Sequence, residues 1–126
     1  MRNPVTDLIG MQIATDIPDW TVSECGLPFD LMRSHFIPPE FYEKMRASSP
    51  SSLIDHVITP TMILLGKGDR RVPPSQGLNW HYALKARKIE SKLMIFEDTG
   101  HSLDTIEAEK YGFQEAASFF LSKINS

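Results

Sequence analysis

Hydrophobic positions fall differently in the two parts of the chain. From residue 60 onward, short apolar runs alternate with longer amphipathic stretches. Thr61-Met62-Ile63-Leu64-Leu65 is a continuous apolar run, which predicts a strand covered on both faces. Lys92-Leu93-Met94-Ile95-Phe96 predicts a second strand. Between them, Ser75 to Arg87 carries Leu78, Tyr82 and Leu84 and reads as a helix. Asp104 or Thr105 is placed to cap a final helix running to about Ser122, with Tyr111, Phe113, Ala117, Phe120 and Leu121 expected on its buried side. Residues 60–126 therefore read as a β-α-β-α unit with parallel strands and flanking helices.

Residues 1–59 read as a helical connecting region, with no strand beyond a stub near Val5. Asn3-Pro4 is expected to open a short helix with Val5, Leu8, Ile9 and Ile13 on one side. Asp16 is placed to cap a second helix over 18–24, with Gly26 after its end. A Pro-rich connection leads to Pro38-Pro39-Glu40, which starts a helix through Phe41, Tyr42 and Met45. A further turn is expected over 52–56. Two parallel strands alone leave backbone groups unpaired at an edge, so the sheet is expected to be incomplete and the chain to self-associate or to dock onto further sheet.

The chemistry-bearing residues lie just past the strands. Asp69 follows the first run in Gly66-Lys67-Gly68-Asp69-Arg70-Arg71-Val72-Pro73, and His101 follows the second in Asp98-Thr99-Gly100-His101-Ser102. Taken singly, Asp69 is an ordinary turn residue and His101 an ordinary loop residue. Their separation of 32 residues is what one strand-helix-strand crossover requires, and it brings both loops to one edge of a parallel sheet. An aspartate that orients a histidine, and a histidine that takes a proton near neutrality, are the second and third members of a Ser…Asp…His triad. Of the neighbouring pair Arg70 and Arg71, one is expected either to face the cleft and donate to a carbonyl or carboxylate, or to be surface charge. His35, His56 and His81 show no ligand-like spacing, and neither a metal nor a cofactor is expected.

Composition narrows the classes further. The net charge is −3 with 13 Lys and Arg against 16 Asp and Glu, and no dense basic patch is present, so nucleic acid is not an expected partner. Cys25 is the single cysteine, which excludes an intrachain disulfide and suits a reducing compartment. No apolar stretch approaches the about 18 residues that span a bilayer. With no signal-peptide pattern at Met1-Arg2-Asn3-Pro4-Val5, a cytoplasmic setting without membrane association is expected.

At the aspartate loop the sequence resembles a known family. Gly66-x-x-Asp69-x-Arg71-Val72-Pro73 resembles the corresponding loop of the prolyl oligopeptidase family of serine peptidases. Arg2-Asn3-Pro4-Val5, Thr15-Asp16-Ile17-Pro18-Asp19-Trp20, Ser49-Pro50, Thr59-Pro60 and Gln76-Gly77 extend the resemblance along nearly the whole chain. It implies the C-terminal part of an α/β-hydrolase domain, in a family whose chains also carry a β-propeller cap. It implies further that Asp69 orients the base, that His101 is the base, and that Arg71 binds a peptide carbonyl. The chain is most similar to the branch that removes an N-acylated residue from a blocked peptide. The family's nucleophile lies in Gly-x-Ser-x-Gly, and no such motif occurs here. Ser102 follows the histidine, and Ser75 lies near the aspartate loop, but neither sits on a strand-to-helix elbow. The start at Met1 reads as truncation at an internal boundary or a chance start. The expectation is an Asp/His portion that is inactive alone; the alternatives are a non-catalytic remnant or interaction protein, or one half of a split enzyme.

Overall fold

A parallel pair of strands organises the molecule. The computed structural model describes residues 1–32 and 36–125, so His35 lies outside the described residues. Strand β1 (Thr61–Gly66) pairs in parallel with β2 (Ser91–Phe96), in a register that runs from Thr61 opposite Ser91 to Gly66 opposite Phe96. Helix α4 (Ser75–Ala86) makes the crossover, and α5 (Ile106–Ile124) follows β2. Upstream lie three short helices: α1 (Leu8–Gln12), α2 (Pro18–Glu24) and α3 (Tyr42–Ser48). Single 3₁₀ segments occupy Pro39–Phe41 and Pro50–His56.

The side-chain period of two in β1 divides the core into layers. Ile63 and Leu65 point to one face, where Trp80 and Leu84 of α4 cover them. Met62 and Leu64 point to the other, against Ala108 and Phe119 of α5 and Leu103 of the preceding loop. As its unbroken apolar run requires, β1 is buried from Met62 to Gly66. β2 is an edge strand and only partly covered, with Ile95 exposed. A third cluster joins Leu8, Cys25, Ile37 and Met45, with Val5, Ile9, Leu27 and Phe41 packed around it.

Helix boundaries depart from expectation where the backbone has other partners. Asn3-Pro4 does not open a helix. The Asn3 amide donates to the Leu64 carbonyl and the Leu64 amide to Met1, so that Arg2 forms a parallel bridge with Leu64. The strand-like stub is thus at Arg2, not at Val5. Helix α1 begins at Leu8, and Asp7 caps it by accepting from the Gly10 amide at 3.0 Å. Ile13, expected on the buried side, is exposed because it lies past the end of α1. In α2 the cap position is Ile17 and carries no side-chain bond, because Asp16 turns instead toward Arg71. Gly26 ends α2 with φ 70°, a conformation that glycine adopts without penalty.

Two helix faces differ from the expected ones. In α4 the covered residues are Gln76, Gly77, Trp80 and Leu84, and Tyr82 is exposed. In α5 the covered stripe is Ala108, Gly112 and Phe119, with Ala116 beside it, while Tyr111, Phe113, Phe120 and Leu121 are exposed and Ala117 is half-buried. Small residues at 108, 112 and 116 let α5 lie close over β1, and the bulky aromatics are rotated outward. Thr105, not Asp104, is the cap, accepting from the Ala108 amide at 3.3 Å. Among the described residues no helix is long and apolar enough to cross a membrane.

The end of β1 tolerates no side chain. A Cβ on Gly66 would stand 2.4 Å from the Gly100 carbonyl oxygen and 2.6 Å from that of Thr99, both of them backbone atoms. Gly66→Ala is therefore expected to destabilise the fold by about 1–3 kcal/mol, the usual cost of overpacking. Urea unfolding of the two proteins measures it, and an unchanged midpoint would contradict the tight approach.

Candidate active site

The approach of these two backbones builds the site. Past β1, the Lys67 amide donates to Phe96 and the Gly68 amide to Thr99, which ties the turn after β1 to the loop after β2. Asp69 closes that turn through its own amide, which donates to Gly66. Its side chain is fully buried. Oδ1 accepts from the amides of Arg71 and Val72, both at 2.9 Å, and Oδ2 faces Nδ1 of His101 at 2.8 Å. Two backbone donors on one oxygen fix the plane of the carboxylate and leave the other oxygen directed at the ring.

That geometry sets the chemistry of the histidine. An ionised carboxylate only accepts, so the Nδ1 it faces carries the proton, and Nε2 holds the lone pair. The ring is about half exposed (48%) while its partner carboxylate is fully covered. A half-exposed imidazole with one nitrogen anchored on a carboxylate is equipped to take a proton from a bound group through the other. No serine hydroxyl among the described residues is hydrogen-bonded to His101. Ser102 is exposed, and Ser75 begins α4.

Arg71 lies at the same edge. Its Nε stands 3.4 Å from Oδ1 of Asp16, and its carbonyl accepts from Thr15 Oγ1 at 2.7 Å. The side chain remains about half exposed (51%). Together with His101 it borders a recess of about 610 Å³ whose apolar lining includes Val5, Met11, Ile17 and Trp20. Arg70 is exposed and does not border this recess. Sequence reasoning assigned no role to this recess, because its walls come from α1, α2 and the segment before them, far from the aspartate loop in sequence. A signal was nonetheless present, in an Asp-Trp pair at 19–20 that lies outside any core pattern.

The remaining histidines stand apart from the site. His56 ends a 3₁₀ segment and is exposed. His81 lies 2.7 Å through Nδ1 from Ser91 Oγ, and burial, helped by Lys85, lowers its pKa. Among the described residues no group of His, Cys, Asp and Glu is arranged to hold a metal ion. Cys25 is buried beside α2, and burial raises its thiol pKa, which keeps it protonated and unreactive.

Comparison with known proteins places this geometry in a class. The prolyl oligopeptidase family profile matches residues 1–126, and the chain belongs to that family. It is 37% identical over 127 residues to the acylamino-acid-releasing enzyme of Rattus norvegicus, which covers 99% of this chain and 17% of the relative. The enzyme of the same name from Homo sapiens is 36% identical over 126 residues, with the same coverage. That of Arabidopsis thaliana is 36% identical over 122 residues, covering 94% of this chain and 15% of the relative. The chain thus spans about one sixth of the length of these relatives. Among solved structures, Pyrococcus horikoshii acylaminoacyl peptidase superposes with a TM-score of 0.76 at 20% identity, covering 94% of this chain and 19% of that one. Porphyromonas gingivalis dipeptidyl peptidase 4 superposes at 0.67 with 18% identity, covering 96% of this chain and 15% of that one. The fold is accordingly that of part of an α/β-hydrolase domain, with two parallel strands, flanking helices and an incomplete sheet.

Removing the Asp69 carboxylate leaves the buried Val72 amide, the part-buried Arg71 amide and an imidazole N–H without their acceptor. Asp69→Ala is expected to lower stability by roughly 2–3 kcal/mol. Denaturant unfolding reports this, and a loss below about 0.5 kcal/mol, the level of an ordinary surface substitution, would contradict the anchoring role.

Proposed function

We propose that this chain is the acid–base portion of a cytoplasmic serine peptidase that resembles acylaminoacyl-peptidase and hydrolyses N-acylated peptides to release the acyl-amino acid. The observation that carries this reading is the 2.8 Å contact of buried Asp69 with half-exposed His101, beside a recess bordered by Arg71. In this reading His101 Nε2 takes the proton of a serine hydroxyl and returns it to the leaving amine. Asp69 holds the tautomer and stabilises the imidazolium. Arg71, oriented by Asp16, donates to a carbonyl of the bound peptide, and the apolar recess receives a side chain or acyl group.

The nucleophile is the missing part of this chemistry. A histidine without a serine to deprotonate has no acyl transfer to promote, so the chain by itself is expected to bind substrate weakly and not to turn it over. A second reading, one half of a split enzyme, is favoured by one surface. Met1, Pro60, Met62 and Phe120 border a largely apolar recess of about 400 Å³ at the open side of β1, a surface that suits further sheet from another polypeptide. A non-catalytic interaction protein would use the same surface and leave the Asp69–His101 pair idle.

Trp20 borders the recess and Trp80 is buried, so indole fluorescence reports occupancy. Titration with an N-acetylated dipeptide is expected to change the emission, and Arg71→Met to weaken the binding about tenfold or more, the scale of one charge-assisted hydrogen bond. No acyl-amino acid should be released by the chain alone. Binding unaffected by Arg71→Met would overturn the assignment of Arg71. Turnover that His101→Ala abolishes but serine-directed reagents leave intact would overturn the serine mechanism.

A further inference from the structure

The loop that carries His101 is tied at its base by the Thr99 and Thr105 hydroxyls, 2.7 Å apart, and braced between them by residues from elsewhere in the chain. Leu103 is buried in the left-handed region at φ 52°, a conformation that bulky residues avoid. Inside the loop the one backbone bond, from the Leu103 amide to the Gly100 carbonyl, is long at 3.4 Å. The carbonyls of Gly100, His101, Ser102 and Leu103 instead find donors on a dipeptide about a hundred residues earlier in the chain. Asn3 Nδ2 donates to His101 at 2.8 Å and to Gly100 at 3.3 Å. The Arg2 guanidinium donates to Ser102 at 3.2 Å and to Leu103 at 3.5 Å.

Asn3 is the inner member of this clamp. It is 5% exposed, and its backbone is itself left-handed at φ 39°. Its Oδ1 accepts from the Gly66 amide at 2.9 Å, and its own amide donates to Leu64. The orientation of the side-chain amide is forced, because an N–H faces one end and two carbonyls face the other. One side chain therefore spans from the end of β1, where the Asp69 turn begins, to the backbone of His101. Aspartate in its place would keep the acceptor for Gly66 and turn a second oxygen toward two carbonyls.

We infer that Asn3, with Arg2 as the outer arm, is a positioning residue: it fixes the His101 loop so that the imidazole meets the Asp69 carboxylate. The inference rests on the reading of Asp69 and His101 as an acid–base pair. It assigns to Arg2-Asn3 a role that neither the spacing of the pair nor the strand register supplies.

The test uses the ¹⁵N-histidine-labelled 126-residue chain and the His101 Nδ1 proton, whose exchange with water reports how firmly the ring is held. Asn3→Asp replaces the two donors to the loop by a carboxylate oxygen facing the same carbonyls, and Asn3→Gly removes the side chain while keeping the left-handed backbone easy. Both are expected to speed exchange of that proton roughly fivefold, the factor carried by one ordinary buried hydrogen bond. Arg2→Met should speed it by less. The methyl resonances of Val72 and Leu103 show whether each variant is folded. If Asn3→Gly unfolds, Asn3→Asp, which retains the bond to Gly66, decides the matter. A wild-type exchange rate in a folded Asn3→Asp protein would overturn the clamp. Absence of a protected Nδ1 proton in the wild type, with Asp69→Asn making no difference, would overturn the acid–base pair itself, so the two failures are distinguishable.

Discussion

The site depends on the register of two parallel strands. With Gly66 opposite Phe96, both chains leave the sheet at the same edge and at the same height. Turns after parallel strands emerge together only because the crossover helix returns the second strand to the side of the first. A slip of one residue would turn β1 inside out and exchange the layers under α4 and α5. Gly66, where a side chain would strike the Thr99 and Gly100 carbonyls, permits the closing of this edge, and Asp69 is the group that uses it. The carboxylate could not remain buried without the amides of Arg71 and Val72, and those amides are offered only by a turn this tight.

How far the sequence reveals this depends on whether a signal is local. The strand β1 is legible because four consecutive buried apolar residues admit few other readings. Asp69 and His101 are legible as candidates because residue type, chain order and spacing all agree. The orientation of α5 is not legible locally, because most of its large apolar residues lie on the open face, and the covered stripe of Ala108, Gly112 and Ala116 has Phe119 as its one large member. Asn3 was misread for a different reason. Asn-Pro is a common way to begin a helix, and nothing nearby discloses that the partners of Asn3 are residues 64, 66, 100 and 101. Long-range hydrogen bonds of a single polar side chain leave no periodic trace.

The open surfaces and the site are connected. On the side away from β2, residues 1–3 partner β1 as one short segment: the Met1 amino group donates to the Met62 carbonyl, Arg2 bridges Leu64, and Asn3 Oδ1 accepts from the Gly66 amide. Phe113 and Phe120 of α5 and the recess around Met1 and Met62 lie on that same side, uncovered. The chain matches about one sixth of the length of its relatives. Arg2 and Asn3 stand between that surface and the loop of His101.

The most direct test of the central claim is reconstitution. The chain is mixed with the part of the rat acylamino-acid-releasing enzyme that lies outside the matched region, and release of the acyl-amino acid from an N-acetylated peptide is followed. If Asp69 and His101 act as an acid–base pair, release is expected in the mixture, none from either part alone, and loss of release when His101→Ala is used. Release by this chain alone, or a mixture whose activity is indifferent to His101→Ala, would contradict it.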